Sequence, residues 1–257
     1  MKRGAGAMAG VVLLSAGAAC ASGSSDSSSG GSEETTLTIY AGSSLTSTFT
    51  ELGKKFEASH EGVTVTFSFG GSADLVAQIQ QGAPVDVFAS ADTANMDKAV
   101  ADDLVEDDPV DFASNTLQIA VPPDNPAGVS SLQDLAKPGT TLVVCAPEVP
   151  CGAAAQTVEE SSGVTIEPVS EEQAVTDVLT KVESGQADAG LVYVTDVRSA
   201  GDRVKGVAFP ESSEAVNSYP IAVLSASENG DMAQEFLDLV TGTEGQTALA
   251  AAGFAKP

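Results

Sequence analysis

Two serines stand where a hydroxyl could be aimed at a ligand: Ser44 in AGSSL and Ser72 in FGGSA. In each case an apolar run of strand character ends in small residues, offers a serine, and opens an apolar repeat of helical spacing. A helix start leaves its first N–H groups without intrahelical acceptors, and its dipole favours negative charge. A serine there can therefore join backbone N–H groups around an anion. The same pattern also suits an ordinary N-cap that serves only its own helix. Hydrolytic chemistry would need a base for either serine. The one histidine, His60, follows Ser59 at the polar end of a helical segment and faces away from the strand ends, which disfavours a Ser-His-acid triad. Asp86 and Asp92 could be paired carboxylates, but Asp92 precedes a helical segment near Ala94 and is placed to cap it. No P-loop, HExxH or Rossmann glycine fingerprint is present.

Three further turns, APEVPCGAAA, VSEEQAV and GLVYV, are rich in small residues, and none of the five turns carries Lys, Arg or His. The chain of 257 residues has 11 Lys+Arg against 36 Asp+Glu, a formal charge of −25. That balance gives no electrostatic footprint for nucleic acid or an anionic membrane patch. It also removes any general positive field that could hold an anion. Neutral hydroxyls and N–H groups would have to do so, each contributing about 1.5–3 kcal/mol to a charged acceptor. Gly70 and Gly71 would let the backbone come close. The acidic stretch Asp102, Asp103, Glu106, Asp107 and Asp108 reads as a solvated face.

The elements that must position these turns alternate. LTIYA (37–41) reads as a buried strand, and Leu45, Phe49, Leu52 and Phe56 follow at helical spacing. VTVTFSF (63–69) is a second strand, a helix through Leu75, Val76 and Ile79 stops at Gly82, and VDVFAS (85–90) is a third strand. This order calls for a parallel sheet with helices on both faces. Strands at 116–123, 141–147, 189–194 and 204–210, with helices at 132–136, 153–160 and 174–183, form a second α/β unit. A strand at 219–224 and helices at 232–240 and 245–251 close the chain. Two such units imply a bilobed molecule with its ligand cleft between the lobes, beyond the strands' carboxyl ends.

Met1 to Cys20 has a basic start at Lys2 and Arg3, an apolar run through Val11–Leu14 and small residues up to Cys20. This is a secretory signal pattern, and LLSAGAAC fits a lipoprotein processing site with Cys20 as the lipidated residue, although Gly17 stands where Leu is usual. A plain cleaved signal with Cys20 incidental is the alternative. The Ser/Gly run that follows, placed at 21–36, reads as a flexible tether. Cys145 and Cys151 in VCAPEVPCG most simply form a disulfide in an exported chain, stabilising the fold by about 2.4 kcal/mol through chain entropy. Metal binding by the same pair is the other reading, with few further soft ligands to support it.

The run F-x-x-S-x-x-L-x-x-Q-I-x-x-G-A-P-x-D-x-F-x-S-A-D (69–92), with the turn at 41–45 and G-x-V-Y at 190–193, resembles the periplasmic molybdate-binding proteins of ABC importers, with matches from Leu37 to the C-terminus. GAPVDVFASAD (82–92) is the most specific part. The resemblance implies a two-lobed type II periplasmic-binding-protein fold of class α/β, each lobe a mixed, mainly parallel sheet flanked by helices. Combined with periodicity, it places the crossings near 116–121 and 219–223, so that 37–117 and 222–257 form lobe 1 and 118–221 lobe 2. It implies a monomeric, non-enzymatic protein without cofactor that captures molybdate or tungstate and delivers it to an ABC permease with a cytoplasmic ATPase. By this resemblance Ser44 and Ser72 donate hydroxyl and N–H to the oxyanion, and Cys151, where the family usually has Ala, donates its N–H. Val175 does the same, with Ala174 as its alternative, and the Tyr193 hydroxyl closes the cage. The anion's metal would have no direct protein ligand. Sulfate or another tetrahedral oxyanion is the alternative cargo; a scaffold or adhesion module would bind none.

If Cys20 anchors the chain through lipid, Cys20→Ser should release the protein from the membrane fraction into the medium. Unchanged membrane fractionation would remove the anchor.

Overall fold

The computed structural model describes residues 35–257, all within one unit that spans 33–257. The signal segment, Cys20 and nearly all of the expected tether lie outside the described residues. Thr35 and Thr36, expected to close the tether, instead begin the first strand, where they pair with Val63 and Thr64. No helix among the described residues is long and apolar enough to cross a membrane.

The first lobe opens with β1 (Thr35–Gly42), α1 (Thr46–Ser59), β2 (Val63–Gly70), α2 (Ser72–Gln80), β3 (Val87–Ala89), α3 (Thr93–Ala101) and β4 (Val110–Asn115). The chain then builds the second lobe from β5 (Leu117–Val121), α4 (Leu132–Leu135), β6 (Leu142–Cys145), α5 (Pro150–Ser162), β7 (Ser170–Glu172), α6 (Val175–Glu183), β8 (Ala189–Tyr193), α7 (Val194–Ala200) and β9 (Lys205–Val207). It returns to the first lobe through β10 (Asn217–Val223), α8 (Gly230–Thr241) and α9 (Thr243–Ala252). The first sheet runs β2-β1-β3-β10-β4 and the second β7-β6-β8-β5-β9. In the first, β1 is parallel to β2 and β3 while β10 is antiparallel to β3 and β4. In the second, β6 is parallel to β7 and β8 while β5 is antiparallel to β8 and β9. Both sheets are mixed.

The crossings differ from expectation. Leu117 already pairs with Tyr193 in the second sheet, so the outward crossing is confined to Thr116. The return is complete by Asn217, which pairs with Asn115, so 217–221 belong to the first lobe rather than the second. Tyr219 and Ile221 are fully buried in the first core beside Phe112 and Phe254, and this burial draws the whole strand into that sheet. The ladder shifts register between Tyr219 and Pro220, as expected where a residue without an N–H enters a sheet.

Cores form on the faces that periodicity indicates. Phe49, Leu52 and Phe56 of α1 pack with Phe236 of α8 over β1 and β10, while Leu75, Val76 and Ile79 of α2 pack with Met96 on the opposite face. A Cβ at Gly53 of α1 would lie 2.6 Å from the Phe67 ring, so a larger residue there would displace that ring. The second lobe has one continuous core, which Val178 and Val182 of α6 share with Leu142, Val158 and Leu191. Cys145 at the end of β6 is bonded to Cys151 in the first turn of α5, with Cα atoms 5.6 Å apart. The carboxyl ends of β1, β2 and β3 and of β6, β7 and β8 lead into the turns where the two lobes meet.

Candidate functional site

Ser72 is the first residue of α2, behind Gly71, and is buried. Its hydroxyl does not cap its own helix; it accepts the Ala91 N–H at 3.0 Å, which ties the second turn to the end of β3. Gly42 lies in the same corner, where a Cβ would come within 3.1 Å of Ala91 Cβ and 3.4 Å of Ser72 Oγ. Ser44 sits in a single 3-10 turn, Ser43–Leu45, that leads into α1, and its hydroxyl shares a hydrogen bond of 3.0 Å with the Tyr219 hydroxyl. Both serines therefore have partners outside their own helix.

The second lobe supplies two more helix starts. Pro150 is the first residue of α5 and has no N–H, so Cys151 carries the first N–H of the helix, at a position without an intrahelical acceptor. Val175 is the first residue of α6, directly after Ala174. The residues preceding these four turns, Gly42, Gly71, Val149 and Ala174, have no side-chain oxygen and cap nothing. Asp92 shows the contrast: it caps α3 by accepting the Asn95 N–H at 2.9 Å, as its position before Ala94 led one to expect.

The lobes touch at these turns. A Cβ on Gly71 would lie 2.0 Å from the Gln173 carbonyl oxygen and 3.5 Å from Val149, which puts the Ser72 turn directly against the starts of α5 and α6. The Ser44 turn lies against α6. Tyr193, at the end of β8, stacks edge-on against Tyr219 with ring centroids 6.0 Å apart, and Tyr219 holds Ser44. Ser44, Ser72, Cys151, Val175 and Tyr193 are thus gathered at one junction. His60 is elsewhere, stacked on Phe56 and bonded to Glu235 at 2.8 Å, with neither serine among its partners. Asp86 is a structural carboxylate that accepts the Thr38 N–H at 2.7 Å and the Ser227 hydroxyl at 2.6 Å.

Tyr193 carries the clearest sign of a missing partner. It is 1% exposed, and its buried hydroxyl oxygen meets no hydrogen-bond geometry, although the Tyr219 hydroxyl, already bonded to Ser44, stands near enough to act on it. An orphaned buried hydroxyl costs about 1–3 kcal/mol, so a group that accepts from it would be bound with that much advantage. Burial, reinforced by Tyr219, Asp92 and Asp196, raises its pKa well above the usual phenol range. The hydroxyl therefore keeps its proton and remains a donor.

Tyr219, Asp196, Asn115 and Asn217 were not anticipated as part of this junction. Tyr219 was legible only as an apolar strand residue, and the asparagines act through partners far away in sequence. Asp196, buried in the first turn of α7, accepts the Tyr193 N–H at 2.8 Å and so fixes the strand-to-helix turn that aims the tyrosine. Burial pushes its pKa up to about 7, partly offset by that N–H bond. Arg198 was also outside the expected set: with Ser44, Thr48, Thr195 and Phe254 it lines a cavity of about 140 Å³ behind the Ser44 turn. The larger groove of about 700 Å³ between α1 and α9 is an open surface crossed by the Glu51–Lys55–Glu244 ion pairs.

Fold and junction together define a two-lobed α/β binding protein whose lobes meet at uncapped helix starts. The chain belongs to the bacterial extracellular solute-binding protein family, whose model matches residues 37–255. It is 47% identical over 222 residues to the molybdate-binding protein ModA of Mycobacterium tuberculosis, covering 86% of this chain and 85% of the relative. The molybdate-binding protein ModA of Escherichia coli is 31% identical over 233 residues, covering 85% and 88%. The periplasmic molybdate-binding protein of Azotobacter vinelandii superposes with a TM-score of 0.74 at 22% identity, covering 86% of this chain and 99% of that one, a likeness of fold.

Asp196 generates a pH dependence. Its folded pKa lies above its unfolded value of about 3.9, so its contribution to stability is complete below about pH 4 and is lost as pH rises through about 7. Asp196→Asn keeps an acceptor for the Tyr193 N–H but cannot ionise. Its unfolding free energy, followed through the thermal midpoint, should gain on that of the wild type between about pH 4 and pH 7, by up to about 1.4 kcal/mol per pH unit, and hold that gain above pH 7. Parallel pH profiles for the two proteins would contradict the assignment.

Proposed function

We propose that the protein captures molybdate, and also tungstate, outside the cytoplasm and passes it to an ABC permease driven by a cytoplasmic ATPase. It does so without chemistry on the anion and without a cofactor. Lipid on Cys20 would keep it at the membrane. The observation that carries the reading is the buried, unpartnered Tyr193 hydroxyl at the junction of four uncapped helix starts. The identity to the mycobacterial molybdate-binding relative, spread over nearly the whole of both chains, supports the choice of anion.

In this reading Ser44, Ser72 and Tyr193 donate hydroxyls, and Ser44, Ser72, Cys151 and Val175 donate N–H groups. Oxygen atoms at the corners of a tetrahedral dianion accept from several donors at once. A cage of fixed donors selects by radius, because molybdate and tungstate have longer bonds to oxygen than sulfate and reach donors that sulfate leaves unpaired. Loss of two or three such bonds, at about 1.5–3 kcal/mol each, separates the anions by several powers of ten in affinity. The donors are neutral, so salt should weaken binding only modestly.

Calorimetric titration tests the reading. Ser44→Ala and Ser72→Ala should each weaken molybdate about tenfold or more, and His60→Ala should leave it unchanged. Sulfate bound as tightly as molybdate, or normal molybdate affinity in the Ser44 and Ser72 double variant, would overturn it.

A further inference from the structure

The two strands that connect the lobes are neighbours in the first sheet, and Asn115 at the end of β4 lies opposite Asn217 at the start of β10. Both side chains are buried. The Asn115 amide donates to Thr195 Oγ1 at 2.8 Å, reaching into the second lobe, while its carbonyl accepts the Thr116 N–H at 3.0 Å. The Asn217 amide nitrogen donates to the Ala91 carbonyl at 2.9 Å and makes a longer contact, 3.5 Å, with the Pro150 carbonyl.

The positions of those two carbonyls give the contact its meaning. Ala91 belongs to the first lobe, and its N–H holds the Ser72 hydroxyl. Pro150 belongs to the second lobe and directly precedes Cys151. One primary amide has two N–H groups on a single nitrogen and can serve both carbonyls. The bond to Ala91 lies within the first lobe and orients the amide, so that its second N–H faces the second lobe. We propose that Asn217 is a closure clasp, a positioning residue that joins the backbone behind one donor of each lobe and so stabilises the closed arrangement of the oxyanion cage. This deepens, and rests on, the reading of the junction as an oxyanion site.

A contact made only when the lobes are together favours the closed state alone, so its removal shifts the population toward the open state and lets the anion leave faster. No donor to the anion is lost. The encounter with the open protein is unchanged, and the effect falls on dissociation rather than association.

The test uses the mature chain with its disulfide intact and spin labels at exposed Gln78 on α2 and Gln156 on α5, in the wild type, Asn217→Ala and Asn217→Leu. Leucine fills the space of asparagine without its donors. Both variants should show longer interlobe distances without ligand than the wild type. They should release radiolabelled molybdate about tenfold faster, with association within about twofold of the wild type. Unchanged distances and release rates in both variants would overturn the clasp, as would restoration by leucine, which would assign Asn217 to packing alone. The ligand-free distances do not depend on which anion binds. A wild type that ignores molybdate while Asn217→Ala opens the lobes would keep the clasp and reject only the molybdate reading.

Discussion

The structure depends on one electrostatic constraint: an acidic chain that is to hold an anion must do so without help from its net charge. Its formal charge of −25 works against any dianion at long range. On the proposed reading four helix starts take that part, because their first N–H groups have no partner within the helix. Gly42, Gly71, Val149 and Ala174 leave those groups uncapped where serine, threonine or aspartate would have satisfied them. Tyr193 completes the set with a hydroxyl that burial keeps protonated. Asp92 and Asp196 stand close enough to raise that hydroxyl's pKa further.

The topology follows from bringing those starts together. Strands β1, β2 and β3 point their carboxyl ends at the junction from one lobe, and β6, β7 and β8 do so from the other. Mixed sheets arise because the chain must leave and return: β5 and β10 run antiparallel to the parallel strands beside them. The fit where the lobes meet is close. At Gly71 there is no room for a side chain beneath the Gln173 carbonyl, so a glycine is needed for this arrangement rather than for any turn geometry. The disulfide acts on the same region, holding the start of α5 to the end of β6 so that the Cys151 N–H is set by a covalent link as well as by packing.

Much of this was legible where local chemistry and position coincide. The turns at Ser44 and Ser72, the run that ends in VDVFASAD and the strand GLVY all carry their signal in neighbouring residues. The strand β7, Ser170–Glu172, was not, because SEE offers no apolar alternation and exists only through its ladder with β6. Strand β4 follows an acidic run, and its four buried residues, 112–115, include the polar Ser114 and Asn115, so no apolar alternation marks it. The return crossing was misplaced by a few residues, since periodicity identifies a strand but not the sheet it joins. Tyr219, Asn115, Asn217 and Asp196 escaped for a related reason. Tyr219 and both asparagines act through partners far away in sequence, and Asp196 matters only because it fixes the turn that places Tyr193 at the junction.

The central claim is that neutral donors from both lobes converge on one anion, and anomalous diffraction from crystals grown with tungstate tests it most directly. A single strong tungsten peak should lie between the hydroxyls of Ser44, Ser72 and Tyr193 and the N–H groups of Cys151 and Val175, one tungsten–oxygen bond beyond hydrogen-bond reach of them. A peak beside Arg198, or in the groove between α1 and α9, with none at the junction, would contradict it.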